Sequence, residues 1–82
     1  MDLVALTETI IKKLVTDPEN ISVKEFETEE ENTIQIEVLI SSDDMGKVIG
    51  KNGKIINSVR TIVQAASSLG DNKRVRINVD SY

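Results

Sequence analysis

Gly50 and Gly53 interrupt a helical pattern that begins near Ser41 and ends at Leu69. Glycine in a helix interior is unfavourable by roughly 1 kcal/mol relative to alanine, so two in close succession divide the segment. The first piece is short. The second helix runs from about Gly53 to Leu69 and carries Ile55, Ile56, Val59, Ile62, Val63, Ala66 and Leu69 at three- and four-residue steps. Upstream, Ser41 and Asp44 stand at capping-box spacing, and Asp43 and Asp44 place carboxylates at the positive end of a helix. Chains that turn from helix to helix through two glycines expose a bare stretch of backbone at the junction.

The remaining elements follow from periodicity. Leu3, Leu6, Ile10 and Leu14, with Val4, Ile11 and Val15, predict an amphipathic helix from Leu3 to Val15, stopped by Asp17-Pro18. Ile21 to about Thr28 reads as a strand. Phe26 is out of phase with Ile21 and Val23, which predicts a bulge or a strand end there. Glu29-Glu30-Glu31-Asn32 reads as a solvated turn, and Ile34, Ile36, Val38 and Ile40 alternate in the clearest strand. A last strand has Val75, Ile77 and Val79 alternating with Arg74, Arg76 and Asn78. The order α–β–β–α–α–β predicts an α+β fold: a three-stranded mixed sheet with three helices on one face, forming a single domain over residues 1–82.

Composition narrows the chemistry. The chain of 82 residues has no cysteine and no histidine, which leaves out disulfides, Cys/His zinc sites, thiol nucleophiles and imidazole bases. No metal, cofactor or catalytic constellation is expected, and the predicted class is non-enzymatic. No apolar run approaches the roughly 18 residues of a membrane span, so a soluble cytoplasmic protein with no membrane partner is expected. The net charge of −4 hides an asymmetry. Residues 1–44 carry 3 basic and 12 acidic side chains, whereas residues 45–82 carry 7 basic and 2 acidic ones. With a screening length of about 8 Å, a ligand responds to the local balance of −9 or +5 rather than to the sum. The basic half is therefore a candidate anion-binding surface, against the plainer reading of an uneven solvated one.

The junction Val48-Ile49-Gly50-Lys51-Asn52-Gly53-Lys54-Ile55-Ile56 lies in that half. A bare Gly-x-x-Gly is weak, but this one joins two helical patterns, has aliphatic flanks and sits among Lys47, Lys51 and Lys54. Glycines permit backbone angles that a Cβ forbids and let a sugar–phosphate chain approach closely. The loop also opens a helix, whose first N–H groups and positive dipole end suit an anion. The Gly-x-x-x-x-Gly-Lys-Ser/Thr spacing of a nucleotide P-loop cannot be aligned to it.

Ile49-Gly50-Lys51-Asn52-Gly53-Lys54-Ile55-Ile56 resembles the Ile-Gly-x-x-Gly-x-x-Ile signature of KH domains, which clamp about four nucleotides of single-stranded nucleic acid with this loop. The element order is similar to the type II, bacterial arrangement, and the likeness covers essentially the whole chain. Small stand-alone bacterial KH proteins are the nearest type. That resemblance implies an RNA chaperone or post-transcriptional regulator, a link to cell elongation and division, and pairing with a Jag/KhpB-type RNA-binding protein. Carried over, Gly50, Lys51, Asn52 and Gly53 would contact the backbone of single-stranded RNA. Val48, Ile49 and Ile56 would build the aliphatic floor and its supporting core, with Lys47 and Lys54 as flanking charges and Arg76 on the other wall of the groove. Ile55, Val59 and Val63 are expected in the core. Phe26 and Tyr82 are the only aromatics, so base stacking has little to work with and sequence preference should be modest.

Two features keep a rival reading open. The apolar residues of the second helix spread across roughly 180°, where a stripe of about 100° suffices for one-sided packing. The surplus edge, Ile62, Ala65 and Leu69, either meets a broad sheet or the first helix, or forms a protein–protein contact, giving a homodimer or a heterodimer with another KH protein. The acidic pI of about 4.7 also suits an interaction module of KH shape that binds RNA weakly.

Overall fold

The computed structural model describes residues 2–82. Helix α1 spans Leu3–Leu14, strand β1 Ser22–Glu27 and strand β2 Thr33–Ile40. Helix α2 is the short Met45–Ile49, helix α3 is Lys54–Leu69, and strand β3 is Arg74–Ser81. The sheet order is β1-β2-β3, with β1 antiparallel and β3 parallel to the central β2. This is the α–β–β–α–α–β order and the mixed sheet expected from the sequence.

Each helix forms for local reasons and is held by one shared core. Asp2 caps α1 by accepting from the Ala5 N–H at 3.1 Å, and Lys12 and Lys13 sit in its last turn, where cations complement the dipole. Ile36, Val38 and Ile40 of β2 are buried against Ile11 of α1, Val48 of α2, and Ile56, Val59 and Val63 of α3. Gln35, Glu37 and Leu39 alternate to the opposite, helix-free face of the sheet, as a period of two requires. Burying one such Ile or Val side chain is worth roughly 1.5–3 kcal/mol, so this single layer of aliphatics carries most of the stability.

Two local expectations need correction. Phe26 makes no bulge: pairing is continuous from Ser22 opposite Leu39 to Glu27 opposite Ile34, where the strand ends one residue beyond it. Its ring simply belongs to the outer face, half-exposed beside Gln35, while Val23 points inward. Nor do Ser41 and Asp44 form a capping box. The Ser41 hydroxyl accepts from the Asp43 N–H at 3.3 Å, whereas the buried Asp44 carboxylate reaches across the fold to the end of α1. There its Oδ1 accepts from the Thr16 N–H at 3.1 Å and from the Thr16 hydroxyl at 2.8 Å. A chain leaving α1 thus has its first free N–H satisfied by the residue that opens α2.

The Thr16 N–H holds the Asp44 carboxyl below its ordinary value; the Thr16 hydroxyl, the Asp17 N–H and nearby Lys47 add to that, against the opposing effect of burial. A lowered folded-state pKa stabilises the fold above the unfolded value of about 3.9, and the contribution is lost as pH falls through the folded value. Asp44→Ala should therefore lower the thermal midpoint at pH 7, and the gap from wild type should narrow on titration below about pH 4. Melting curves at pH 7 and pH 3 check this; a gap that is unchanged at pH 3 would contradict it.

Candidate nucleic-acid interface

Helix α2 ends where the chain reaches Gly50, whose φ of 76° and ψ of 175° lie in a region essentially reserved for glycine. A Cβ there would also fall 2.6 Å from Ile55 Cγ1. Asn52 (φ 57°) and Gly53 (φ 76°) then take left-handed angles, and a tight turn closes with the Gly53 N–H on the Gly50 carbonyl at 3.2 Å. The Lys54 N–H is used likewise, by the Lys51 carbonyl. Among the described residues, the N–H groups of Lys51 and Asn52 have no protein partner. The donors of the loop tip are therefore available to an anion.

The structure gathers most of the predicted site around this tip. Lys47, Lys51, Asn52 and Lys54 are exposed, with Gly50 and Gly53 partly so. Among the described residues the ion pairs are Lys12–Glu8 and Arg76–Glu30, which leaves the three loop lysines without a carboxylate partner. Val48 and Ile56 are buried on either side of the loop and act from below, as supporting core, while Ile49 is partly exposed. Ile55, expected in the core, instead lies over Gly50 and is 36% exposed. Its side chain is the aliphatic surface of the loop.

Arg76 is not brought to this place. Its neighbours Val75 and Ile77 pack inward, so Arg76 points to the helix-free face. There its guanidinium takes both oxygens of Glu30, at 2.8 and 2.9 Å. The basic half of the sequence is thus divided between two faces. Continuing from the loop are residues given no role above: Asn57, Arg60 and Gln64, which follow Gly53 at steps of four, three and four along one side of α3. Arg60 Nε and Nη2 donate to the Ile77 carbonyl at 3.2 and 3.0 Å, and Nη1 donates to Asn57 Oδ1 at 2.9 Å. Gln64 accepts from the Val75 N–H at 2.9 Å. These side chains bridge α3 to the unpaired edge of β3. The Gly53 spacing was the only sequence signal for them.

On another flank of α3, Ile62 is half-exposed, Leu69 almost wholly exposed and Ala65 exposed, so the surplus apolar edge does not pack against the sheet. With Ile55 these residues form a row about 150° around the helix from the Asn57–Arg60–Gln64 row.

Comparison with known proteins decides the family. The family model described as "KhpA/KhpB, KH domain" matches residues 4–79. The chain belongs to the KhpA/KhpB family of KH domains. Relatives named RNA-binding protein KhpA include that of Oceanobacillus iheyensis, 43% identical over 75 residues, covering 92% of this chain and 96% of the relative. The Clostridium perfringens protein is 45% identical over 74 residues (90% and 95% of the two chains), and that of Thermotoga maritima is 36% identical over 74 residues (90% and 93%). In this KhpA/KhpB-type chain no helix among the described residues is long and apolar enough to cross a membrane.

The two glycines should differ in what they tolerate. Gly50→Ala meets both a forbidden backbone and Ile55, and should cost about 1–3 kcal/mol. At Gly53 the nearest atom to an added Cβ is Asn57 Nδ2 at 3.7 Å and the conformation is left-handed, so Gly53→Asn should cost less than about 1 kcal/mol. Urea unfolding of both variants checks the order; equal costs would contradict the geometry.

Proposed function

We propose that this protein is a non-catalytic, cytoplasmic binder of single-stranded RNA that clamps a short stretch of backbone on Gly50-Lys51-Asn52-Gly53. The observation that carries the reading is a loop of glycine-only and left-handed backbone, with free N–H groups at its tip and three lysines lacking carboxylate partners around it. Phosphate is the ligand such a site suits: it takes N–H donors and positive charge together. Lys47 and Lys54 flank the clamp, Ile55 and Ile49 offer aliphatic contact, and Val48 and Ile56 hold both from beneath. The family's relatives named as RNA-binding proteins favour RNA as the polyanion. Action as an RNA chaperone or post-transcriptional regulator belongs to the same proposal.

The exposed row of Ile62, Ala65 and Leu69 supports self-association, or pairing with a Jag/KhpB-type protein, as a second part of this reading. One loop covers only about four nucleotides, and two linked copies raise the effective concentration for one RNA strand without any new type of contact.

Three outcomes are expected. Lys51→Asp combined with Asn52→Asp should keep the fold and weaken binding to a short single-stranded RNA at least tenfold, about 1.4 kcal/mol, by anisotropy titration. Unchanged affinity in the folded variant would remove the loop from the site. If about three cations neutralise phosphates, log affinity should fall against log salt with a slope near −2; a flat dependence would favour the interaction module instead. Ile62→Asp should yield a folded monomer with weaker RNA binding, read by sedimentation. A wild type that is already monomeric at tens of micromolar would contradict the homodimer.

A further inference from the structure

Between α3 and the free edge of β3, the row Asn57, Arg60 and Gln64 continues directly from the loop: a methyl placed on Gly53 would lie 3.7 Å from Asn57 Nδ2. The row is therefore the polar surface next to the loop, available to the base of a nucleotide whose phosphate rests on Lys51 and Asn52. β3 pairs only with β2, so its outer edge would ordinarily present backbone N–H and C=O groups to that base. Here the edge has been altered. The Ile77 carbonyl already accepts two N–H groups from Arg60, Asn57 Oδ1 accepts a third, and Gln64 Oε1 accepts the Val75 N–H. These three acceptors thus already serve protein donors. Arg60 keeps donors to spare: a guanidinium has five N–H donors, of which three are engaged.

From the two spare N–H groups of Arg60, beside an Ile77 carbonyl that already accepts twice, we infer that Arg60 is a specificity-determining residue, selecting guanine over adenine at one position of the bound strand; the inference rests on the RNA-binding reading above. Guanine offers two adjacent acceptors, O6 and N7, to which a guanidinium fits with two parallel hydrogen bonds. Adenine brings N7 beside an N6 amino donor, which would face Arg60 N–H groups and find the Ile77 carbonyl occupied. An unmatched donor in a desolvated contact is rejected more strongly than a missing contact. Lysine at the same place would keep the positive charge but not the planar fork, so the charge and the base preference are separable.

The test uses the full chain and two labelled oligouridines that differ by a single central guanine or adenine, with an all-uridine strand as baseline, titrated by anisotropy at modest salt. The guanine strand should bind at least about fivefold tighter than the adenine strand. Arg60→Lys should reduce that ratio below about twofold. Arg60→Met, which frees the Ile77 carbonyl, should shift the ratio further toward adenine. If the Met variant melts early, the Lys variant and the wild-type ratio still decide. Equal wild-type affinities for the two strands, or an Arg60→Lys variant with an undiminished guanine preference, would overturn the inference and leave RNA binding standing. No binding to any of the three strands would overturn both.

Discussion

Val48 and Ile56 are buried in the same core, and only seven residues of chain lie between them. Val48 sits on the last turn of α2 and Ile56 on the first turn of α3, and both pack in the cluster with Ile36, Val38 and Ile40 of β2. With both ends pinned, the intervening chain must reverse direction within a few residues, and it does so away from the core. That demand sets Gly50 at an angle no side chain tolerates, turns Asn52 and Gly53 left-handed, and leaves the N–H groups of Lys51 and Asn52 at the tip. The loop's shape is a consequence of aliphatic packing several ångströms beneath it. Asp44 adds to the pinning from the other side, since its bonds to Thr16 tie the start of α2 to the end of α1.

Helix α3 distributes its surroundings by face. One face, with Ile56, Val59 and Val63, is buried on the sheet. A second carries the polar row that closes the edge of β3, and a third carries Ile62, Ala65 and Leu69 in solvent. The proposed nucleic-acid groove and the proposed protein contact therefore use one helix without overlapping, because the core separates them around its circumference. The arrangement also gives the acidic composition a physical sense. Much of the acidic charge lies in the β1–β2 hairpin, where Glu30 engages Arg76 on the outer face, while the loop lysines keep their charge free. Screening over about 8 Å makes the local arrangement, and not the net charge, what a phosphate meets.

The elements were legible in the sequence wherever periodicity was strong. Ile34 to Ile40 alternates without fault, and the glycine pair marks the break between α2 and α3 unambiguously. Phe26 suggests a bulge because one aromatic out of phase looks like a defect, when a half-covered sheet has an outer face that accepts it, next to the strand end at Glu27. Asp44 was misread because its partner, Thr16, lies 28 residues away, and spacing rules see only neighbours. Arg76 reads as a groove residue and Arg60 does not for a related reason. Alternation along β3 fixes which face Arg76 takes, but not which face bears the helices' open edge. The role proposed for Arg60 depends on a contact between α3 and the Ile77 carbonyl, 17 residues on, that no local pattern announces. Ile55 passed for core because an aliphatic residue at helical spacing carries no sign that a glycine backbone lies beneath it.

The central claim is that ligand contact begins at the loop tip and runs along one flank of α3. An NMR titration of the labelled protein with a short single-stranded RNA tests it residue by residue. The account predicts that the amide signals of Lys51, Asn52 and Gly53, together with the side-chain signals of Asn57 and Arg60, shift in proportion to bound RNA, while Phe26, Leu39 and Arg76 on the outer sheet stay still. Shifts concentrated on that outer face, with the loop amides unmoved, would contradict it.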